Sequence, residues 1–300
     1  MDNELTYSRW RVWLLASRPK TLAGAAVPVV MGLSMAWADS RCLLLVPAVL
    51  CLLFAFIMQI DANFVNDYFD YLKGTDDADR LGPKRACAQG WISPSAMRRG
   101  IAVTTVCACL TGLPLVLYGG WWLVAVGVAC VLFCFLYTTH LSYRGLGDVL
   151  VLLFFGLVPV SLTYYLQTGS VTRNVVIMSL ACGMVIDTLL VVNNYRDRES
   201  DRRAGKLTLA VFMGPRLTEH FYLLLGLLAC LMPIPYLFSR QWFTFFLPFL
   251  YLVIHVRTCR SMKRIGSGRQ LNVILGQTAR NIAFYGLLFT VGRLLDTFLY

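Results

Sequence analysis

The sequence predicts an all-α integral membrane protein with about nine transmembrane helices. Apolar residues make up 58% of the 300 positions, only 14% are charged, and the apolar residues gather into long uninterrupted runs. A soluble domain needs more charge than this on its surface. About 20 consecutive apolar residues carry a helix across a bilayer.

Taken in order, residues 1–20 are polar and basic. They lack the short apolar core and small-residue cleavage site of a signal peptide. They predict an interfacial amphipathic helix, with Trp10, Trp13 and Leu14 toward lipid and Arg9 and Arg11 in water. Apolar spans follow near 21–38, 42–62, 101–118, 121–139, 148–167, 174–194, 219–238, 242–258 and 274–298. Only "GGWW" separates the third from the fourth. The whole chain, 1–300, reads as one polytopic domain.

Basic residues give the orientation. With the N-terminus cytoplasmic, all but Arg41, Arg173, Arg240 and Arg293 of the 27 lysines and arginines fall on the cytoplasmic side. That is the positive-inside bias, and it predicts an N-in, C-out protein. The net charge of +11 is therefore topological, and no nucleic-acid partner is needed to explain it. The ten cysteines are scattered through the apolar runs without a metal or disulfide spacing, and His140, His220 and His255 stand alone. No obligate protein partner is expected.

The acids are not scattered. Asp61, Asp67, Asp70, Asp76, Asp77 and Asp79 follow the second span, and Asp187, Asp197, Glu199 and Asp201 accompany the sixth. On a helix Asn63, Asn66, Asp67 and Asp70 share one face, as do Asn194, Asp197 and Asp201. Polar groups at membrane depth are costly and tend to be functional. Asp77, Asp79 and Glu199 instead read as solvated loop charges.

Two carboxylate clusters on one side of a bundle repel unless a cation lies between them. Oxygen ligands from Asp and Asn suit Mg²⁺, which shares carboxylates, waters and phosphates in its shell. The pattern therefore predicts a Mg²⁺-diphosphate site. Lys73, Lys84, Arg85, Arg196, Arg202 and Lys206 are the cations available to diphosphate oxygens that the metal leaves uncovered.

At these residues the chain resembles a known family. "NDYFDYLKGTD" and "NNYRDRESDRRAGKLTLAVFMG" are similar to the two aspartate signatures of the UbiA superfamily of intramembrane prenyltransferases. "RPKTLAGAAVPVVMG" and "YRGLGDVLVLLFFGLVPV" resemble the branch acting on 1,4-dihydroxy-2-naphthoate. The resemblance runs from Arg18 to about Gly214. Gly74 stands where the superfamily places a third acid, and Asp76 takes a shifted position, as in that branch.

The resemblance implies a nine-helix UbiA-type bundle capped by the two Asp-bearing loops. It implies two Mg²⁺ ions, held by Asp67 and Asp70 on one side and Asp197 and Asp201 on the other, with Asn63, Asn66 and Asn194 assisting. It implies polyprenyl diphosphate and an aromatic acid as substrates, and loss of diphosphate and CO₂. Lys73, Arg202 and Lys206 are then substrate contacts, Arg144 and Lys206 meet the acid, and Asp148 helps. Asp61 and Asp76 support the metal ligands, while Phe64, Tyr68 and Tyr137 are expected in the cavity wall. Two alternatives stay open: another aromatic acceptor such as 4-hydroxybenzoate or homogentisate, and an ion-coupled transporter using the intramembrane acids.

Overall fold

A computed structural model of the chain describes residues 8–74 and 80–299. Among the described residues the fold is entirely helical, and nine helices are long and apolar enough to cross a membrane. Asp76, Asp77 and Asp79 lie outside the described residues.

The amphipathic N-terminal segment forms α1 (Arg9–Ser17), which leaves Trp10 and Leu14 exposed and tucks Val12 and Ala16 against the bundle. Arg18 ends it in a left-handed conformation (φ 50°), and the chain re-enters the helical region at Pro19. Next come α2 (Leu22–Ser40), α3 (Leu45–Leu72), α4 (Pro94–Gly112), the short α5 (Val116–Gly119) and α6 (Trp122–Thr139). A fifth span joins α7 (Gly147–Val151) to α8 (Val158–Thr168) through a π-helical stretch at Leu152–Leu157.

The remaining spans are α9 (Arg173–Arg203), α10 (Leu209–Leu231) continued by α11 (Ile234–Phe238), α12 (Trp242–Phe246) with α13 (Phe249–Ile265), and α14 (Leu271–Leu299). Within α10 the backbone breaks at Gly214 (φ 74°, ψ 175°) just before Pro215. Pro215 lacks an amide hydrogen for the ladder.

Several helices run past the predicted spans. α3 continues through Leu72 and α9 through Arg203, so both aspartate motifs are helical. At 1.5 Å per residue, the 31 residues of α9 extend about 46 Å, longer than a hydrocarbon core of about 30 Å. The motifs therefore ride on the projecting ends of rigid rods.

α9 is the central helix. Val175, Met178, Cys182, Val185, Val191, Val192 and Tyr195 are all buried along it. It meets the π-helical stretch backbone to backbone: a Cβ on Gly156 would stand 2.5 Å from the Ser179 carbonyl oxygen and 2.7 Å from Gly183 Cα. Small residues let membrane helices approach this closely. At the end remote from the motifs, a polar cluster ties four helices together. Arg293 Nη2 donates to Asp39 Oδ1 at 2.5 Å, Arg293 Nη1 donates to Gln241, and the Tyr164 hydroxyl donates to Asp39 Oδ2 at 2.9 Å.

Candidate active site

The end of α3 sorts its polar residues by helical angle. Successive residues turn by about 100°, so Asn66 and Asp70 lie close to one line and Asn63 and Asp67 to another. Asn66 and Asp70 face a large internal cavity. Asn63 and Asp67 turn away from it and are buried elsewhere. The Asn63 amide donates to the Ser17 carbonyl at 2.9 Å and to Thr21 Oγ1 at 3.0 Å, fastening α3 to the turn after α1.

Asp67, expected as a metal ligand, has both carboxylate oxygens on backbone amides. Its Oδ2 accepts the Ala86 amide at 2.8 Å and its Oδ1 the Cys87 amide at 2.9 Å, with the residue only 1% exposed. The carboxylate thereby organises the turn that follows the motif, and the turn delivers Arg85. Buried Arg85 donates from Nη2 to Asp70 Oδ2 at 3.0 Å on the cavity side.

The end of α9 builds the opposite wall. Buried Arg196 holds both oxygens of Asp197 (2.7 and 2.5 Å), Asn193 Oδ1 (2.8 Å) and Asn272 Oδ1 on α14 (2.8 Å). Asn272 Nδ2 in turn donates to the Leu81 carbonyl at 2.8 Å, pinning the segment after the first motif over the second. A Cβ on Gly82 would come within 2.9 Å of Arg196 Nη2, so a larger residue there would push on a guanidinium that these hydrogen bonds hold in place. Asp201 lies 3.6 Å from Lys206 Nζ and within electrostatic reach of Asp197 and Asp70.

Between these walls lies a cavity of about 930 Å³. Its polar end is formed by Arg18, Asn66, Asp70, Arg85, Asn194, Arg196 and Lys206. From there it runs between apolar side chains such as Phe54, Val131, Phe154, Phe155, Leu162 and Leu189. One end can hold an anion and the rest a hydrocarbon.

Several expected residues occupy other places. Lys73 donates to the Thr138 and Thr139 carbonyls at 3.0 and 2.9 Å, stacks 4.0 Å over the Tyr143 ring, and so caps α6 beside the cavity. Burial pushes its ammonium below the usual lysine range, and nearby Asp70 opposes that shift. Arg144, Arg202 and Lys84 are exposed, and Arg202 lies 3.7 Å from Glu199. None of the three lines the cavity. Asp61 accepts from Thr104 (2.5 Å) and Thr105 (3.0 Å), which makes it a clasp between α3 and α4. Phe64 packs edge-on against Trp13 at 5.3 Å and Tyr68 against Phe69 at 5.2 Å, so of the three expected aromatics only Tyr137 lines the cavity.

Reading by sequence missed Arg18, Asn193 and Asn272. Asn193 carried a signal: with Asp197 it repeats the i, i+4 spacing of Asn66 and Asp70. Asn272 lies far from either motif and had none.

The donor set suits a hard cation. Asn66, Asp70, Asn194 and Asp201 present oxygen, and buried Asp201 Oδ2 has no hydrogen-bond partner among the described residues. No three acidic, histidine or cysteine side chains among the described residues form a closed cage. An open arrangement of this kind fits Mg²⁺, which keeps waters and substrate phosphates in its shell.

Known proteins resemble this chain in sequence and in fold. A 1,4-dihydroxy-2-naphthoate octaprenyltransferase of Escherichia coli (strain K12) is 34% identical, over 98% of each chain. One of Mycobacterium tuberculosis is 37% identical over 72% of this chain and 74% of its own. Among solved structures, a UbiA homologue from Archaeoglobus fulgidus bound to GPP and Mg²⁺ superposes with a TM-score of 0.62 at 15% identity, over 93% of this chain and 99% of that one. An apo UbiA homologue from Aeropyrum pernix K1 gives 0.67, also at 15% identity, over 92% and 97%. The UbiA prenyltransferase family matches residues 25–275, and the chain belongs to that family.

Proposed function

We propose that this protein transfers a polyprenyl group from polyprenyl diphosphate to 1,4-dihydroxy-2-naphthoate. CO₂ and diphosphate are lost, and the product is demethylmenaquinol, an intermediate of menaquinone synthesis. The observation that carries the reading is the cavity, in which Asn66 and Asp70 face Asn194 and Lys206 at the head of a long apolar space. Naphthoate as acceptor is supported by the relatives in Escherichia coli and Mycobacterium tuberculosis.

Asp70, Asp197 and Asp201, with Asn66 and Asn194, would hold Mg²⁺, in one or two ions. When bound, the metal neutralises the leaving diphosphate so that the allylic C–O bond can ionise. Asp67 acts one step back, by placing Arg85. Arg85 and Lys206 supply positive charge around the diphosphate oxygens, and Lys73 holds the end of α6 beside them.

The tail lies along the apolar wall, whose side chains keep water from the allylic cation. Lys206 meets the acid group of the acceptor, a role that exposed Arg144 does not reach. The motif end faces the cytoplasm in a plasma membrane, with the N-terminus on that side.

The test offers purified protein octaprenyl diphosphate and Mg²⁺ with either 1,4-dihydroxy-2-naphthoate or 4-hydroxybenzoate. A prenylated naphthol lacking the carboxylate is expected by mass spectrometry. Prenylation of hydroxybenzoate alone would overturn the choice of acceptor.

A further inference from the structure

Beside the polar end of the main cavity opens a much smaller crevice, of about 10 Å³, lined by Tyr137, Ser142, Gly147, Asp148, Asn194 and Lys206. Tyr137, Ser142, Asn194 and Lys206 also line the main cavity, so the two spaces share a wall. A volume of this size holds one water-sized group. A single oxygen substituent matches a space of that size.

Among the residues lining the crevice is an acid the proposed chemistry has not used. Asp148 is 5% exposed, and its Oδ1 has no hydrogen-bond partner among the described residues. Asp187 on α9 is 0% exposed, both its oxygens lack partners among the described residues, and it lies within electrostatic reach of Asp148. Close packing fixes this arrangement. A Cβ on Gly147 would lie 3.3 Å from Leu190 Cδ2 and 3.7 Å from the Tyr137 hydroxyl, so α7 is held hard against α9 and α6.

A buried acceptor without a donor is costly, and an acid at membrane depth more so. Asp148 lines the crevice, and Lys206 lines the same wall. A molecule that fits both carries a hydroxyl beside a carboxylate on one ring, an ortho-hydroxy aromatic acid.

We propose that Asp148 accepts a hydrogen bond from the ring hydroxyl of the acceptor while Lys206 contacts the neighbouring carboxylate. This rests on aromatic-acid prenylation as the activity. The contact orients the ring, and it draws the hydroxyl proton toward Asp148 without removing it. Electron density then rises on the ring carbon ortho to that oxygen, the carbon that must attack the allylic group. Asp148 thereby selects hydroxylated acceptors as well as positioning them.

The test is equilibrium binding of 1-hydroxy-2-naphthoate and 1-methoxy-2-naphthoate to the full chain in lipid nanodiscs. The methyl group removes the donor and keeps the carboxylate. Wild type is expected to prefer the hydroxyl compound by about 10–100-fold, the range of a hydrogen bond to a charged group. Asp148→Ala should bring the preference within about threefold, whereas Lys206→Met should weaken both compounds alike and keep it. Equal binding of the two compounds by wild type overturns the proposal without any variant. A folded Asp148→Ala protein that retains the preference overturns it as well. Failure of wild type to prenylate any naphthoate would count against the activity instead, since the binding preference is read without turnover.

Discussion

Asp67 and Asp70, three residues apart on α3, grip the same turn from two sides: Asp67 accepts the Ala86 and Cys87 amides, and Asp70 takes the Arg85 guanidinium at 3.0 Å. One aspartate shapes the turn and the other receives what the turn presents. Asp67→Asn should therefore lower stability by about 1.5–3 kcal/mol, the worth of hydrogen bonds to a buried charged group. It should raise KM for polyprenyl diphosphate more than it lowers kcat. Thermal unfolding with steady-state kinetics checks both; loss of kcat at unchanged stability would restore Asp67 as a metal ligand.

Asp70→Asn and Asp201→Asn should behave differently. Asp70 faces the cavity and Asp201 stands 3.6 Å from Lys206, which lines it, so each substitution removes an anionic oxygen from the proposed metal site, where metal binding contributes several kcal/mol to the transition state. A fall in kcat/KM of about 10²–10³-fold is expected, with little change in melting temperature. Chelation should abolish wild-type turnover, and added Mg²⁺ should restore it.

Gly156→Val probes the contact that seats α7 and Asp148. The new side chain meets the Ser179 carbonyl and the Gly183 backbone, neither of which can step aside as a flexible side chain would. Overpacking of this kind costs about 1–3 kcal/mol or more. Reduced thermal stability is expected, with affinity for the aromatic acid falling more than affinity for the diphosphate.

The cluster at the remote end separates structure from chemistry. Asp39→Asn weakens contacts to Arg293 and Tyr164, and because Asp39 is 39% exposed the loss should fall near 1–2 kcal/mol. Kinetic constants of the folded protein should be unchanged. A large fall in kcat would show that this end of the bundle is coupled to the site.

Orientation is open to a direct check. Alkaline phosphatase fused after Leu299 should be active in cells if the C-terminus lies outside, as the distribution of lysines and arginines predicts. An inactive, stably expressed fusion would reverse the topology.

The sequence by itself determined the membrane-spanning helices, because twenty apolar residues in a row have few other stable fates. It also determined the two acidic helix ends, since acids behind a hydrophobic run stand out. It left undecided which acids face the cavity. Asn63, Asn66, Asp67 and Asp70 share a broad helix face, and only the packing of α1 and the 80–92 turn decided that Asn66 and Asp70 look inward. Tertiary structure alone brought in Arg18 and Asn272, which are remote in sequence from the motifs they join. It alone sent Arg144 to the surface and Asp148 inward, because the close seat of Gly147 on Leu190 and Tyr137 is a relation among three helices and leaves no mark on any one of them.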